Sequence, residues 1–287
     1  MPYLVSTSFD IFFDNINLKG DHRETANSRK DRVVSLLEKD FEILDAFATG
    51  SIPKYTAVKG YADLDVMVVL HYSKHIQGKL PSTILENVRS SLSGYATRTR
   101  KNGQAVTLSY ETWPDVDIVP VSRVSNSDGT VNYYNVPDMN REEWIKSRPR
   151  KHSTDMAEKN KVCGDNFKKI VKMIKWWNHQ HSSYMESYHI EVIALKTFDS
   201  EINDVTWGIY SFFKKAVEEV TNYTFHEGDM VDDYLDYNDR QEVINRLKTA
   251  EEKSRNAWYL TYNGKTDDKK AIEIWKQIFG DKFPSYG

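Results

Sequence analysis

Between Thr49 and Leu70 the chain runs Thr49-Gly50-Ser51-Ile52, then a mixed spacer, then Asp63-Leu64-Asp65-Val66-Met67-Val68-Val69-Leu70. Leu64 to Leu70 is a short, valine-rich apolar run bounded by polar residues, the pattern of a buried strand. Side chains alternate along a strand, so Asp63 and Asp65 share one face while Leu64 and Val66 take the other. Two neighbouring carboxylates repel and raise each other's pKa. A cation between them relieves that cost. Hard divalent ions prefer oxygen ligands, and magnesium combines a few carboxylates with substrate phosphates. Taken alone, an Asp-x-Asp pair at a strand end serves equally well as a solvated charge pair that blocks edge aggregation.

A third acid lies in Val116-Asp117-Ile118-Val119, flanked by apolar residues as a carboxylate presented from a buried strand would be. Should that strand neighbour the first, Asp63, Asp65 and Asp117 converge. Three such groups suit two ions roughly 3.5–4 Å apart, the arrangement used for in-line nucleotidyl transfer. Asp115 shares the Asp117 face by alternation and follows Pro114, so it stands as the second candidate for third ligand. Gly50 permits close backbone approach to a phosphate, and the Ser51 hydroxyl with adjacent N–H groups can bind its oxygens. A Gly-Ser turn by itself has almost no specificity. The order Gly-Ser, spacer, Asp-x-Asp, later strand Asp is what carries information.

Working outward, residues 28–46 have Val33, Leu36, Leu37 and Phe41 at near-helical spacing and predict an amphipathic helix before Gly50. Residues 105–111 and 116–121 predict further strands, and the turn cluster Ser125 to Gly129 predicts a hairpin between 119–124 and 131–136. Beyond about Arg150 the pattern turns helical. Phe167, Ile170, Val171, Ile174 and Trp177 form one stripe, and helices are predicted over 186–200, 208–222, 239–257 and 268–279. The expected division is residues 1–155 and 156–287, with its boundary near the basic, polar stretch Lys146 to Lys161.

The bulk properties are those of a globular protein. The chain has 287 residues, 39% apolar and 28% charged, with net charge −3, which excludes a protein that coats nucleic acid by overall basicity. One cysteine, Cys163, forms no internal disulfide and offers no zinc spacing. Helix-edge packing is its favoured reading over reactivity. The start lacks a basic segment followed by an apolar run, and no segment reaches the roughly 18 apolar residues of a membrane span. The expectation is a cytoplasmic protein. Aromatic content is 13%, with seven Trp and seventeen Tyr, residues that suit cores and base stacking alike.

The ordered pattern resembles the polymerase-beta-type nucleotidyltransferases, and more closely the cGAS/DncV-like nucleotidyltransferases of bacterial anti-phage signalling. Three stretches carry the narrower resemblance: Gly50 to Ala57; Lys172-Met173-Ile174-Lys175-Trp176-Trp177 with Ser187-Tyr188-His189-Ile190-Glu191; and Trp275 to Pro284. It spans about residues 30–284. The resemblance implies an α+β fold: a mixed-sheet nucleotidyltransferase domain (1–155), a helical substrate-binding domain (156–287), and an active site in the cleft between them. It implies that Gly50 and Ser51 cradle the donor triphosphate, that Asp63 and Asp65 bind two Mg²⁺ ions (Mn²⁺ being an alternative), and that Asp117 holds the ion activating the acceptor hydroxyl. Lys175 and Ser187 would contact phosphate, and Tyr188 would stack on a base.

From residue patterns alone, Lys175 lies at the margin of its apolar stripe, where a snorkelling surface lysine is the alternative, and Tyr188 fits a core position. His179, His181 and His189 read as a polar helix end rather than a metal site. The implied activity is Mg-dependent synthesis of a cyclic di- or oligonucleotide second messenger from NTPs, with pyrophosphate released and a downstream effector activated by the product. The implied enzyme is monomeric and off the membrane. With one cysteine it cannot build the zinc insertion by which animal cyclic GMP-AMP synthase senses DNA. The alternatives are transfer to another acceptor (tRNA, protein or small molecule) and a catalytically silent nucleotide-binding module.

Overall fold

A computed structural model describes residues 4–18 and 22–287. In chain order its elements are α1 (Val5–Ile16), α2 (His22–Leu37), β1 (Ile43–Thr49), α3 (Ser51–Lys54), β2 (Leu64–Leu70), α4 (Pro81–Ser91), β3 (Arg98–Asn102), β4 (Ala105–Ser109), β5 (Val116–Ser125), β6 (Val131–Asp138), β7 (Glu143–Ser147), α5 (Pro149–Cys163), α6 (Asn166–Gln180), α7 (Ser187–Thr197), α8 (Val205–Thr221), β8 (Phe225–His226), β9 (Asp229–Met230), α9 (Tyr237–Tyr259) and α10 (Asp268–Phe279). The fold is α+β. It divides into a sheet unit, residues 22–55 with Tyr61–Thr154, and a helical unit, residues 4–18 with Thr56–Gly60 and Asp155–Gly287.

The sheet unit is built on seven strands. Five run in the order β1-β2-β5-β4-β3, and β6 extends the sheet from β5 to β7. The β2/β5 pair is parallel and the other pairs are antiparallel. Strand β2 is interior and buried on both faces, which explains its near-continuous run of Val, Met and Leu. Asp65 is the one polar residue within it. The expected hairpin forms, with Ser122 opposite Asn135 and Val124 opposite Tyr133. Helices α2 and α4 pack on the sheet, burying Val33, Leu37, Ile84, Leu85 and Val88.

The helix expected over residues 28–46 is corrected. Helix α2 stops at Leu37, and residues 43–49 form β1, paired antiparallel with β2. Phe41 and Ala46 continue the helical spacing by coincidence. Strand β1 pairs on one side only and is mostly half-buried, so it lacks the strong alternation that marks a strand in sequence.

The helical unit is organised around α6, which is buried from Phe167 to Asn178 at nearly every position. Helix α1 belongs here. Its stripe of Val5, Phe9, Phe12 and Ile16 packs with Trp275, Phe279 and Phe283, and Phe9 meets Trp275 and Phe283 edge-on with ring centroids 5.1 Å apart. The Trp176 indole donates to the Phe279 carbonyl at 2.8 Å. The segment Thr56–Gly60 also belongs to this unit, with the Lys59 N–H donating to the Ile16 carbonyl at 2.8 Å. Cys163 ends α5 fully buried, and burial raises its thiol pKa. Among the described residues, no helix is long and apolar enough to cross a membrane.

Candidate active site

In the sheet unit the turn after β1 is forced by one glycine. Gly50 has φ 74° and ψ −152°, a conformation L side chains rarely adopt. A Cβ there would lie 1.8 Å from the Asp65 Oδ2. Gly50 therefore lets the backbone press against the Asp65 carboxylate. Thr49 is the register partner of Asp65 across β1/β2, and Ser51 opens the short helix α3 directly after. The sequence separation of this turn from Asp65 thus reflects direct contact.

Asp65 and Asp117 are register partners across the parallel β2/β5 pair. Thr107 on β4 is the register partner of Asp117 on the other side, and its hydroxyl donates to the Asp117 Oδ1 at 2.5 Å. Asp63 lies one residue before β2 and is exposed. Its pKa is raised, first by partial desolvation of the carboxyl and then by the charges of Asp117 and Asp115; Arg100 partly offsets them. Asp63, Asp65 and Asp117 thus occupy one end of the β2/β5 pair.

Asp115 has a different task. Its Oδ1 accepts the Tyr110 N–H at 3.0 Å, and its backbone carbonyl accepts the Leu64 N–H at 2.9 Å. It precedes β5 and closes the 110–115 loop, which favours Asp117 as the third acid. Two further residues brace this loop, and neither stood out in the sequence. The Trp113 indole donates to the Ala62 carbonyl at 2.7 Å, directly before Asp63. Arg29 on α2 donates to the Thr112 and Pro114 carbonyls and lies over the Tyr110 ring. No local pattern would have found them, because both act on backbone atoms far along the chain.

Three oxygen-donating side chains at one strand end, with a glycine clearing space beside one of them, suit a hard divalent cation. Among the described residues, only Asp155, His226 and Glu227 in the helical unit bring three ligand atoms within 4.8 Å of one another. Asp63, Asp65 and Asp117 do not meet that spacing in this structure.

In the helical unit, Lys175 is neither a surface lysine nor solvent-facing. Its side chain is 3% exposed and pairs with Glu191, at 0%, over 2.7 Å. Its Nζ also donates to the Thr56 hydroxyl at 3.1 Å, and that hydroxyl donates to the Glu191 Oε1 at 2.6 Å. The three residues bind α6, α7 and the 56–60 segment together. Ser187 and Tyr188 begin α7 and are exposed. Tyr188 is 41% exposed, so it is not a core residue, and its ring faces His226 edge-on at 6.5 Å. His179 contacts the Ser183 hydroxyl, His181 the Trp177 carbonyl, and His189 is buried.

A parallel strand pair presenting acids in register, next to a Gly-Ser turn, is the arrangement expected of a nucleotidyltransferase of the polymerase-beta type. Residues 4–160 match the Second Messenger Oligonucleotide or Dinucleotide Synthetase domain family, and the chain belongs to that family. It is 25% identical to a probable cyclic nucleotide synthase of Bacillus cereus, the alignment covering 100% of this chain and 99% of the relative. It is also 25% identical to a cyclic AMP-AMP-AMP synthase of an Acinetobacter species, over 83% of this chain and 72% of that one. In fold it is similar to the Escherichia coli CdnC structure with ATP, with TM-score 0.76, 18% identity, and 98% and 99% of the two chains covered. Vibrio cholerae DncV cyclic AMP-GMP synthase with a linear intermediate has TM-score 0.65 and 13% identity over 84% of this chain and 70% of that one. The protein is a cGAS/DncV-like nucleotidyltransferase of the cyclic oligonucleotide synthase class.

Proposed function

We propose that this enzyme joins NTPs into a cyclic di- or oligonucleotide second messenger in a magnesium-dependent reaction that releases pyrophosphate. The observation that carries this reading is the register pairing of Asp65 with Asp117, with Gly50 packed against the Asp65 carboxylate. A ribose hydroxyl oxygen attacks the α-phosphorus of an NTP. The new P–O bond forms as the bond to the α,β-bridging oxygen breaks, pyrophosphate leaves, and the hydroxyl proton passes to the Asp117 carboxylate or to solvent.

Asp63, Asp65 and Asp117 would hold two Mg²⁺ ions, Mn²⁺ serving as an alternative. When bound, such ions acidify the attacking hydroxyl and neutralise the pyrophosphate. Gly50 and Ser51 offer backbone and hydroxyl donors to the triphosphate. Thr107 keeps the Asp117 carboxylate in one orientation. In the helical unit we assign Ser187 to a phosphate and Tyr188 to base stacking, which its exposure supports. The Lys175 ammonium is committed to Glu191 and Thr56, so we assign it to holding that unit's architecture, with any influence on the triphosphate exerted through its charge.

A second transfer in the same pocket closes a dinucleotide ring, and further transfers close a larger one. The relatives' names, cyclic AMP-AMP-AMP synthase and, for the E. coli proteins, oligonucleotide cyclase of CBASS, favour an anti-phage role in which the product activates an effector. We place the enzyme in the cytoplasm and take it to act as a monomer. The test is incubation with all four NTPs and Mg²⁺ or Mn²⁺, with products read by mass spectrometry. Cyclic products from wild type that vanish in Asp63→Ala/Asp65→Ala are expected. Products that persist in that variant, or label found on RNA or protein instead, would overturn the reading.

A further inference from the structure

Directly behind Ser187 and Tyr188 runs a continuous chain of polar contacts. The Glu186 N–H, one residue before α7, donates to the Tyr234 Oη at 2.9 Å. That oxygen lies 2.9 Å from the His189 Nδ1, and the His189 Nε2 lies 2.8 Å from the Thr224 Oγ1. The Thr224 N–H donates to the Asp232 Oδ2 at 3.1 Å, and the Arg240 Nη1 donates to the same oxygen at 2.5 Å. Arg240 also donates to the Asp232 and Val220 carbonyls. His189, Thr224 and Asp232 are each 0% exposed.

The proton arrangement follows from counting donors and acceptors. Burial lowers the His189 pKa to about 4, so the ring is neutral at neutral pH, with one donor and one acceptor nitrogen. The Tyr234 oxygen already accepts the Glu186 N–H. Its own proton finds a partner in the His189 Nδ1 lone pair, which leaves Nε2–H to donate to Thr224. Each link therefore has one direction.

Apolar packing would fill the same volume without the desolvation cost of a buried His, Asp and Arg. What a hydrogen-bonded chain adds is orientation, because its members tolerate little displacement. It joins α9 to the start of α7. It also ties in the β8–β9 hairpin, flanked by Thr224 and Asp232, whose His226 faces the Tyr188 ring.

We propose that Tyr234 and His189 are positioning residues for nucleotide binding, acting through the Glu186 backbone to hold Ser187 and Tyr188 in place. This rests on the assignment of Ser187 and Tyr188 to the nucleotide. Tyr234→Phe removes one hydroxyl and keeps the ring. In the full-length enzyme its KM for ATP is expected to rise about five- to tenfold with kcat within twofold. His189→Ala raises KM likewise, and His189→Asn, whose amide oxygen can stand in for the Nδ1 acceptor, recovers part of it. Ile272→Val, a buried change on α10 outside the chain of contacts, supplies a variant that loses stability with KM unchanged.

A Tyr234→Phe enzyme with wild-type KM, or KM effects equal to those of Ile272→Val, would overturn the proposal. If the wild type proves inactive, ATP affinity is measured by calorimetric titration. Weaker ATP binding by Tyr234→Phe then supports positioning even as the synthase assignment falls. Equal ATP binding by the two proteins removes it.

Discussion

Gly50→Ala is the most demanding test of the site geometry. The added Cβ would sit 1.8 Å from the Asp65 Oδ2, 2.8 Å from its Cγ and 3.2 Å from its Cβ. Reaching even a tight 3.0 Å contact requires a displacement of at least 1.2 Å, from 3.0 minus 1.8. Backbone strain at this φ/ψ costs about 1–3 kcal/mol, and overpacking adds about 1–3 kcal/mol. A melting temperature lowered by roughly 10 °C is the expected scale. A shift of roughly 1 Å in a reacting group costs on the order of 100-fold in rate, so kcat/KM should fall at least that far.

Thermal melts with and without Mn²⁺, together with initial rates from NTPs, read both effects. The clash can also be isolated. In an Asp65→Ala background the two closest contacts vanish, so Gly50→Ala should cost only the backbone part, with a coupling of about 1–3 kcal/mol between the sites. Wild-type melting and turnover in Gly50→Ala, or purely additive destabilisation in the double variant, would refute the account of why Gly50 is there.

Asp63→Asn should abolish synthesis yet raise the melting temperature of the metal-free protein at neutral pH. The folded-state pKa of Asp63 is raised, so ionised Asp63 costs stability above that pKa and the cost disappears as pH falls through it. The melting gap between variant and wild type should therefore close in acid, and melts across pH would check it. Thr107→Val removes the hydrogen bond to Asp117 while keeping the shape of the side chain. A bond to a charged group is worth about 1.5–3 kcal/mol, so Mn²⁺ affinity measured by titration should drop about tenfold or more. Glu191→Leu removes the buried carboxylate paired with Lys175 and should cost about 3–5 kcal/mol in chemical denaturation. Lys175→Met added to it should restore most of that loss.

Much of the sheet unit was legible because Asp65 and Asp117 sit within regular strands, with Gly50 and Asp63 directly beside them. The valine run around Asp65 and the apolar flanks of Asp117 mark interior strands, and the order of Gly50, Asp63, Asp65 and Asp117 is a local property of the chain. What escaped reading depends on distant partners. Strand β1 is half-buried, and Phe41 extends a helical spacing past the true end of α2 at Leu37. Asp115 shares a face with Asp117 by alternation, but its carboxylate closes a loop onto Tyr110. Lys175 looked marginal on a helical wheel because periodicity shows which face is apolar. It does not show that a helix is enclosed on all sides, nor that a Glu and a Thr from remote segments wait to pair with the ammonium. The Tyr234–His189 chain was equally hidden, since its links from Glu186 to Tyr234 and from His189 to Tyr234 and Thr224 join residues far apart in sequence.

The membership of α1 and Thr56–Gly60 in the helical unit bears on how the protein is made. The chain passes between the two units four times, after residues 18, 55, 60 and 154. During synthesis the residues of the sheet unit are all available once residue 154 has emerged. Phe9 and Phe12 precede the sheet unit in the chain and pack with Trp275, Phe279 and Phe283, which follow it. Until then an aromatic stripe and Thr56 lack their final partners, a setting in which chaperones or misassembly act on nascent chains. A fragment starting at residue 156 would carry the buried Lys175–Glu191 pair without Thr56 and an aromatic core without α1. The helical unit is thus completed after the sheet unit, although its helix α1 precedes the sheet unit in the chain.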